Sequence, residues 1–136
     1  MSYSCLFDLD GTVYRGQSPI EGAVNFIHRL KKNDIKYKFI TNRSDRSSEE
    51  VSNQLNKMGI ISAPDSIITS AMGIAALTKG GRVYVLGSEN LKDCIRGSEA
   101  IITEDQPEDV VIGFYGNLIL MISETRARRF FREQDF

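Results

Sequence analysis

The chain has 136 residues, of which 41% are hydrophobic and 26% charged, with 17 basic against 18 acidic side chains. That is one domain by size with enough apolar material for a core, and its near-zero charge leaves no electrostatic pull towards nucleic acid or an anionic membrane. No run approaches the ~18 apolar residues of a membrane span, no basic segment followed by a long apolar stretch opens the chain, and Cys5 and Cys94 lack metal-ligand spacing. A reducing cytoplasm is the expected setting, with Cys5 a buried thiol in the first strand.

Residues 4–9 read as an apolar strand running into Asp8-Leu9-Asp10-Gly11-Thr12-Val13-Tyr14. A strand repeats every two residues, so Asp8 and Asp10 would share a face if it continued. Gly11 ends it, which puts both carboxylates at its carboxyl end, where open α/β sheets bind ligands. Two such close acids repel, and a cation or a shared proton relieves the repulsion. A carboxylate nucleophile beside a carboxyl acid/base and a divalent metal is the equipment of phosphoryl transfer through an aspartyl-phosphate. Asp8 is the expected nucleophile. Asp10 would protonate the leaving oxygen and then activate water. Mg²⁺ suits the Asp8 carboxylate and the Asp10 carbonyl, both hard oxygens. The amides of Gly11 and Thr12 are expected to face the phosphate. The same pair also fits a plain turn after a strand, where Asp is common.

Residues 11–18 read as a loop or small flap. A helix is predicted from about Ile20 to Lys32, with Ala23, Phe26, Ile27 and Leu30 as one buried stripe. The second strand is Lys36 to Thr41, and it ends in Thr41-Asn42-Arg43-Ser44 just ahead of a helix start. Parallel strand ends lie side by side, so Thr41 and Asn42 could reach the phosphate held at Asp8, close to an anion-favouring helix terminus. An ordinary polar turn reads the same way. Ser47 and Glu50 have capping-box spacing, Val51, Leu55 and Met58 make the apolar face, and Gly59 stands at the stop. A short strand at Ile67–Thr69 and a helix from about Ser70 to Lys79 follow. Gly80-Gly81 reads as a joint, and beyond it come a strand at Arg82–Leu86, a helix near Glu89–Ile95, a strand at 110–114 and a helix from about Leu118. His28 is expected at the surface or its boundary. Arg126, Arg128, Arg129 and Arg132 read as a solvated face, and Met58, Met72 and Met121 as core fillers. The alternation of strands and helices predicts an α/β fold with a parallel sheet.

The strings Asp8-Leu9-Asp10-Gly11-Thr12-Val13-Tyr14, Thr41-Asn42-x-Ser44, Ile67-Ile68-Thr69-Ser70-Ala71-Met72 and Arg82-Val83-Tyr84-Val85-Leu86-Gly87 together resemble the haloacid dehalogenase (HAD) superfamily, in its NagD-like and p-nitrophenylphosphatase branch. The resemblance runs to about Gly113. It implies the first half of a Rossmann-like parallel core over 1–80 and part of an α/β cap over 81–136. It also implies Mg²⁺-dependent hydrolysis of small phosphomonoesters such as nucleotides or sugar phosphates. Asp8 would be nucleophile and metal ligand, Asp10 acid/base and metal ligand, and Thr41 a phosphate ligand. Where the branch commonly has Thr-Asn-Asn-Ser, this chain has Arg43 in the third place, and Tyr115-Gly116-Asn117 stands where relatives carry an acid. The family's later lysine and acidic Gly-Asp loop follow the cap, and no Gly-Asp pair followed by further acids stands after Gly87, which predicts little turnover by these residues alone. It also predicts a first strand with an unpaired edge, able to make a homo-oligomer. The alternatives are a non-catalytic phosphate- or partner-binding remnant, and a phosphotransferase or phosphonate hydrolase on the same core.

Overall fold

The structure is a computed structural model and describes residues 4–113. Two all-parallel sheets of three strands follow one another along the chain. The first has the order β1-β4-β5, built from Ser4–Asp8, Lys36–Thr41 and Ile67–Thr69. The second has the order β7-β6-β8, from Ile101–Ile102, Arg82–Leu86 and Asp109–Ile112. The flap after β1 is a small antiparallel hairpin, β2 (Tyr14–Arg15) with β3 (Ser18–Pro19). Helices α1 (Ala23–Lys32), α2 (Ser48–Lys57), α3 (Ser70–Leu77) and α4 (Glu89–Gly97) complete the fold. The predicted α/β class with parallel sheets is the one observed. The expected helix from Leu118, the Tyr115-Gly116-Asn117 segment, Met121 and the four arginines lie outside the described residues.

The elements form where local chemistry demands them. α2 opens on a full capping box: the Ser47 hydroxyl accepts from the Glu50 amide at 3.2 Å, and the Glu50 carboxylate accepts from the Ser47 amide at 2.8 Å. It closes on a Schellman motif, with the Gly59 amide donating to Asn56 and the Ile60 amide to Leu55. Gly59 takes the left-handed conformation this stop needs, at φ +79°. Leu55 and Ile60, which flank the stop, are both fully buried. β7 escaped the sequence reading because two residues show no period, and α1 begins at Ala23, not Ile20.

Two hydrophobic cores result. Leu9, Ile27, Leu30, Phe39, Leu55 and Ile67 belong to the first. Ala71, Val83, Val85, Leu91, Ile95 and Val111 make up most of the second. The change of core falls at the junction of β5 and α3, ahead of Gly80-Gly81, because α3 packs with α4. Three burial expectations need correction. Phe26 is 40% exposed and sets its edge against Phe7 at 5.8 Å, so the buried stripe of α1 is Ile27 and Leu30. Met72 is 45% exposed, since α3 turns Ala71 and Ala75 inward and leaves Met72 outside. The Cys5 thiol is only half-buried. Met58 packs partly buried on the first core, and His28 is exposed with a ring nitrogen 3.2 Å from the Gly59 carbonyl oxygen.

Candidate active site at the carboxyl ends of the first sheet

β1 ends at Asp8, and the next residue turns the chain. Leu9 is fully buried, and its carbonyl accepts from the amides of Thr12, Val13 and Tyr14. This anchored turn leaves Asp8 and Asp10 exposed on either side of a buried residue. Gly11 takes φ +86°, a conformation that a β-carbon disfavours, and its amide donates to the Tyr14 carbonyl at 2.8 Å. Within the turn the amides of Gly11 and Thr12 bond to the Tyr14 and Leu9 carbonyls. The Thr12 hydroxyl, by contrast, lies 3.4 Å from the Asp8 carboxylate and donates to it.

β4 runs beside β1 with Asp8 opposite Ile40, so Thr41 lies one residue further along the neighbouring strand. Adjacent strands are about 4.8 Å apart, which puts Asp8 and Thr41 at neighbouring strand ends. Thr41 is 3% exposed, and its hydroxyl oxygen accepts the Arg43 amide at 3.2 Å. Asn42 is exposed on the same loop, and its carbonyl accepts the Ser70 hydroxyl at 2.7 Å.

Around these residues the charges are mixed. Burial first, and then the Asp10 carboxylate, raise the pKa of the Tyr14 phenol, while Arg43 and Arg46 oppose the rise and Asp8 adds to it. Asp8, Asp10, Arg43 and Arg46 therefore share one neighbourhood around this ring. The Arg43 guanidinium grips the Asp45 carboxylate through two hydrogen bonds of 2.9 and 2.8 Å. Those hydrogen bonds, ahead of the opposing effect of burial, hold Asp45 below the usual carboxylate range. Arg46 also lines an open cleft of about 650 Å³ along α2, with Gln17, Pro19, Asn53 and Lys57. That cleft does not include Asp8. The sequence reading gave Tyr14, Arg46 and Ser70 no role here, although Tyr14 and Ser70 stand inside the strings that carry the resemblance and Arg46 follows Ser44 by two residues.

Among the described residues no three of His, Cys, Asp and Glu gather as a metal cluster. Mg²⁺ asks for less: one or two carboxylates, with waters and substrate phosphate filling the remaining positions. Two exposed hard-oxygen acids at one strand end fit that demand.

A chain 37% identical over 111 residues is the acid sugar phosphatase of Staphylococcus saprophyticus; the match takes in 79% of this chain and 43% of that protein. The acid sugar phosphatase of Staphylococcus aureus is 34% identical over the same share of each. The chain thus spans less than half the length of these relatives. Among solved structures, a glycerol phosphate phosphatase of Mycobacterium tuberculosis in complex with magnesium superposes with a TM-score of 0.80 at 29% identity, covering 97% of this chain and 42% of that one. NagD of Escherichia coli, at 21% identity, covers 98% and 54% with a TM-score of 0.84 and speaks for the fold alone. No helix among the described residues is long and apolar enough to cross a membrane. The family model for haloacid dehalogenase-like hydrolases matches residues 5–100, a stretch that holds the acidic turn after β1 and the Thr41 loop after β4: the chain belongs to that family.

Proposed function

We propose that this chain carries the phosphoryl-transfer centre of a Mg²⁺-dependent phosphatase acting on small phosphomonoesters, sugar phosphates foremost. The observation that carries the reading is the pair of exposed acids, Asp8 and Asp10, flanking buried Leu9 at the carboxyl end of β1, beside Thr41 at the end of β4. Identity to the staphylococcal sugar phosphatases over most of this chain supports the substrate class.

An Asp8 carboxylate oxygen attacks phosphorus, the ester P–O bond breaks, and the Asp10 carboxyl gives its proton to the departing alkoxide. Asp10, now a carboxylate, takes a proton from water as that water attacks the phospho-aspartate, releasing phosphate and restoring Asp8. Thr41 and Asn42 border the phosphoryl oxygens from the neighbouring strand end. The Asp8 carboxylate and the Asp10 carbonyl would hold Mg²⁺, which when bound offsets negative charge on the phosphoryl oxygens.

The test is hydrolysis of p-nitrophenyl phosphate and of a sugar phosphate, with Mg²⁺ and with chelator, for the chain and for Asp8→Asn. Mg²⁺-dependent release that Asp8→Asn abolishes is the expected result. Equal rates in both chains sink the reading. A second reading, phosphate binding without turnover, draws on the absence of a three-acid cluster among the described residues. Removing one electrostatic partner of a transition state costs about 10²–10³ in rate. Binding of tungstate with Mg²⁺ by calorimetry, in the absence of hydrolysis, would select this second reading.

A further inference from the structure

Three side chains of the second packing unit hold backbone carbonyls of the loop between β4 and α2. The Ser70 hydroxyl donates to the Asn42 carbonyl at 2.7 Å. The Ser88 hydroxyl and the Asn90 amide both donate to the Ser44 carbonyl, at 3.1 and 2.9 Å. Ser70 is the first residue of α3, Ser88 caps α4, and Asn90 lies in the first turn of α4. The loop thus takes its shape from helices that come later in the chain.

The consequence reaches Thr41 through one peptide plane. A trans peptide sends its C=O and the following N–H in opposite directions, and no peptide among the described residues is cis. Holding the Asn42 carbonyl towards α3 turns the Arg43 N–H the other way, and that N–H donates to the Thr41 hydroxyl oxygen at 3.2 Å. A threonine hydroxyl has one hydrogen to give and two lone pairs. With a lone pair occupied by Arg43, the hydrogen is directed elsewhere, and no acceptor for it lies among the described residues. A buried hydroxyl with an unspent donor stands at the strand end next to Asp8.

We propose that Ser70 is a positioning residue: by holding the Asn42 carbonyl it sets the Thr41 hydroxyl as a hydrogen-bond donor to a phosphoryl oxygen at Asp8. This rests on the phosphoryl-transfer reading above. Ser70 touches no substrate and acts only through the Asn42–Arg43 peptide and Thr41. The phosphate loop and the second packing unit are therefore linked, and loosening α3 weakens phosphate recognition with Asp8 and Asp10 untouched.

Two measurements on the chain as it stands test this. The first is hydrogen exchange of the Arg43 amide by NMR without ligand, for wild type, Ser70→Ala and Ser70→Thr. The second is calorimetric binding of tungstate with Mg²⁺ to those chains, to Thr41→Val, to the Ser70→Ala/Thr41→Val double variant and to Asp8→Asn. Losing one neutral hydrogen bond is expected to speed Arg43 exchange about fivefold and weaken tungstate about threefold to tenfold in Ser70→Ala. Ser70→Thr should restore both. In the Thr41→Val background the Ser70 change should weaken binding no further. If Ser70→Ala lowers the melting temperature enough to unfold the chain, the near-isosteric Ser70→Cys serves in its place. Unchanged Arg43 exchange, or an equal loss of affinity in the Thr41→Val background, overturns the positioning role. Wild-type chain that takes up no tungstate, like Asp8→Asn, overturns the phosphoryl-site reading and with it the ligand end of the relay, whatever the Arg43 amide does.

Discussion

Arg43 and Asp45 show how a single residue pair ties the site loop together. Their side chains are 33% and 14% exposed, and the guanidinium meets the carboxylate with two parallel hydrogen bonds. Because Asp45 is held below its ordinary range, the folded chain binds fewer protons there than the unfolded chain at acid pH. The resulting stability is present above the unfolded carboxyl value, about 3.9, and is lost as pH falls from there through the folded pKa. Asp45→Asn should therefore lower the urea midpoint at neutral pH and flatten its decline below about pH 4. Urea titrations across that window, read by circular dichroism, check both effects. The sequence marked Arg43 only as a departure from Thr-Asn-Asn-Ser. Its partner two residues on became visible when the loop was folded, since neither charge belongs to a periodic pattern.

Among the elements, α2 is the one most completely written in its own residues. Ser47, Glu50 and Gly59 supply both ends, and Val51 and Leu55 supply the buried face. Replacing the cap, Ser47→Ala, should cost about 1 kcal/mol in a denaturant titration. Leu55→Ala, at a fully buried site, should cost about 2–5 kcal/mol by the same measurement. α3 is the opposite case. Every residue from Ala71 to Leu77 is apolar or glycine, so the sequence offers no stripe to say which side is inward. Packing against α4 selects Ala71 and Ala75, and leaves Met72 and Leu77 exposed. At Gly113 the constraint is space: a β-carbon there would collide with Leu91 and sit 3.0 Å from the Ser44 hydroxyl. Gly113→Ala should therefore destabilise by about 1–3 kcal/mol through overpacking, visible as a lowered thermal midpoint.

At the scale of the molecule, the described residues cover the first sheet on one face and leave the other open. Phe7, Phe39 and Tyr37 turn into the core, while Leu6 is 59% and Ile40 38% exposed on the reverse side. Among the described residues β1 pairs only with β4, so one of its edges is bare. An apolar face beside a bare edge favours association between copies. Light scattering after size exclusion should show mass rising with concentration, and Leu6→Lys with Ile40→Thr should suppress the rise. A monomer at all concentrations would count against it.

The sequence by itself determined the carboxylate turn after β1, the ends of α2 and the alternation that makes the sheets parallel. Each of these is set by stereochemistry or hydrogen bonding within a few residues, so a linear reading reaches it. Tertiary structure alone decided that α3 leaves the first core for the second, and that Ser70, Ser88 and Asn90 reach back 28, 44 and 46 residues to shape the loop beside Asp8. Contacts across such separations depend on how helices dock, and docking has no periodic signature in the residues that make the contact.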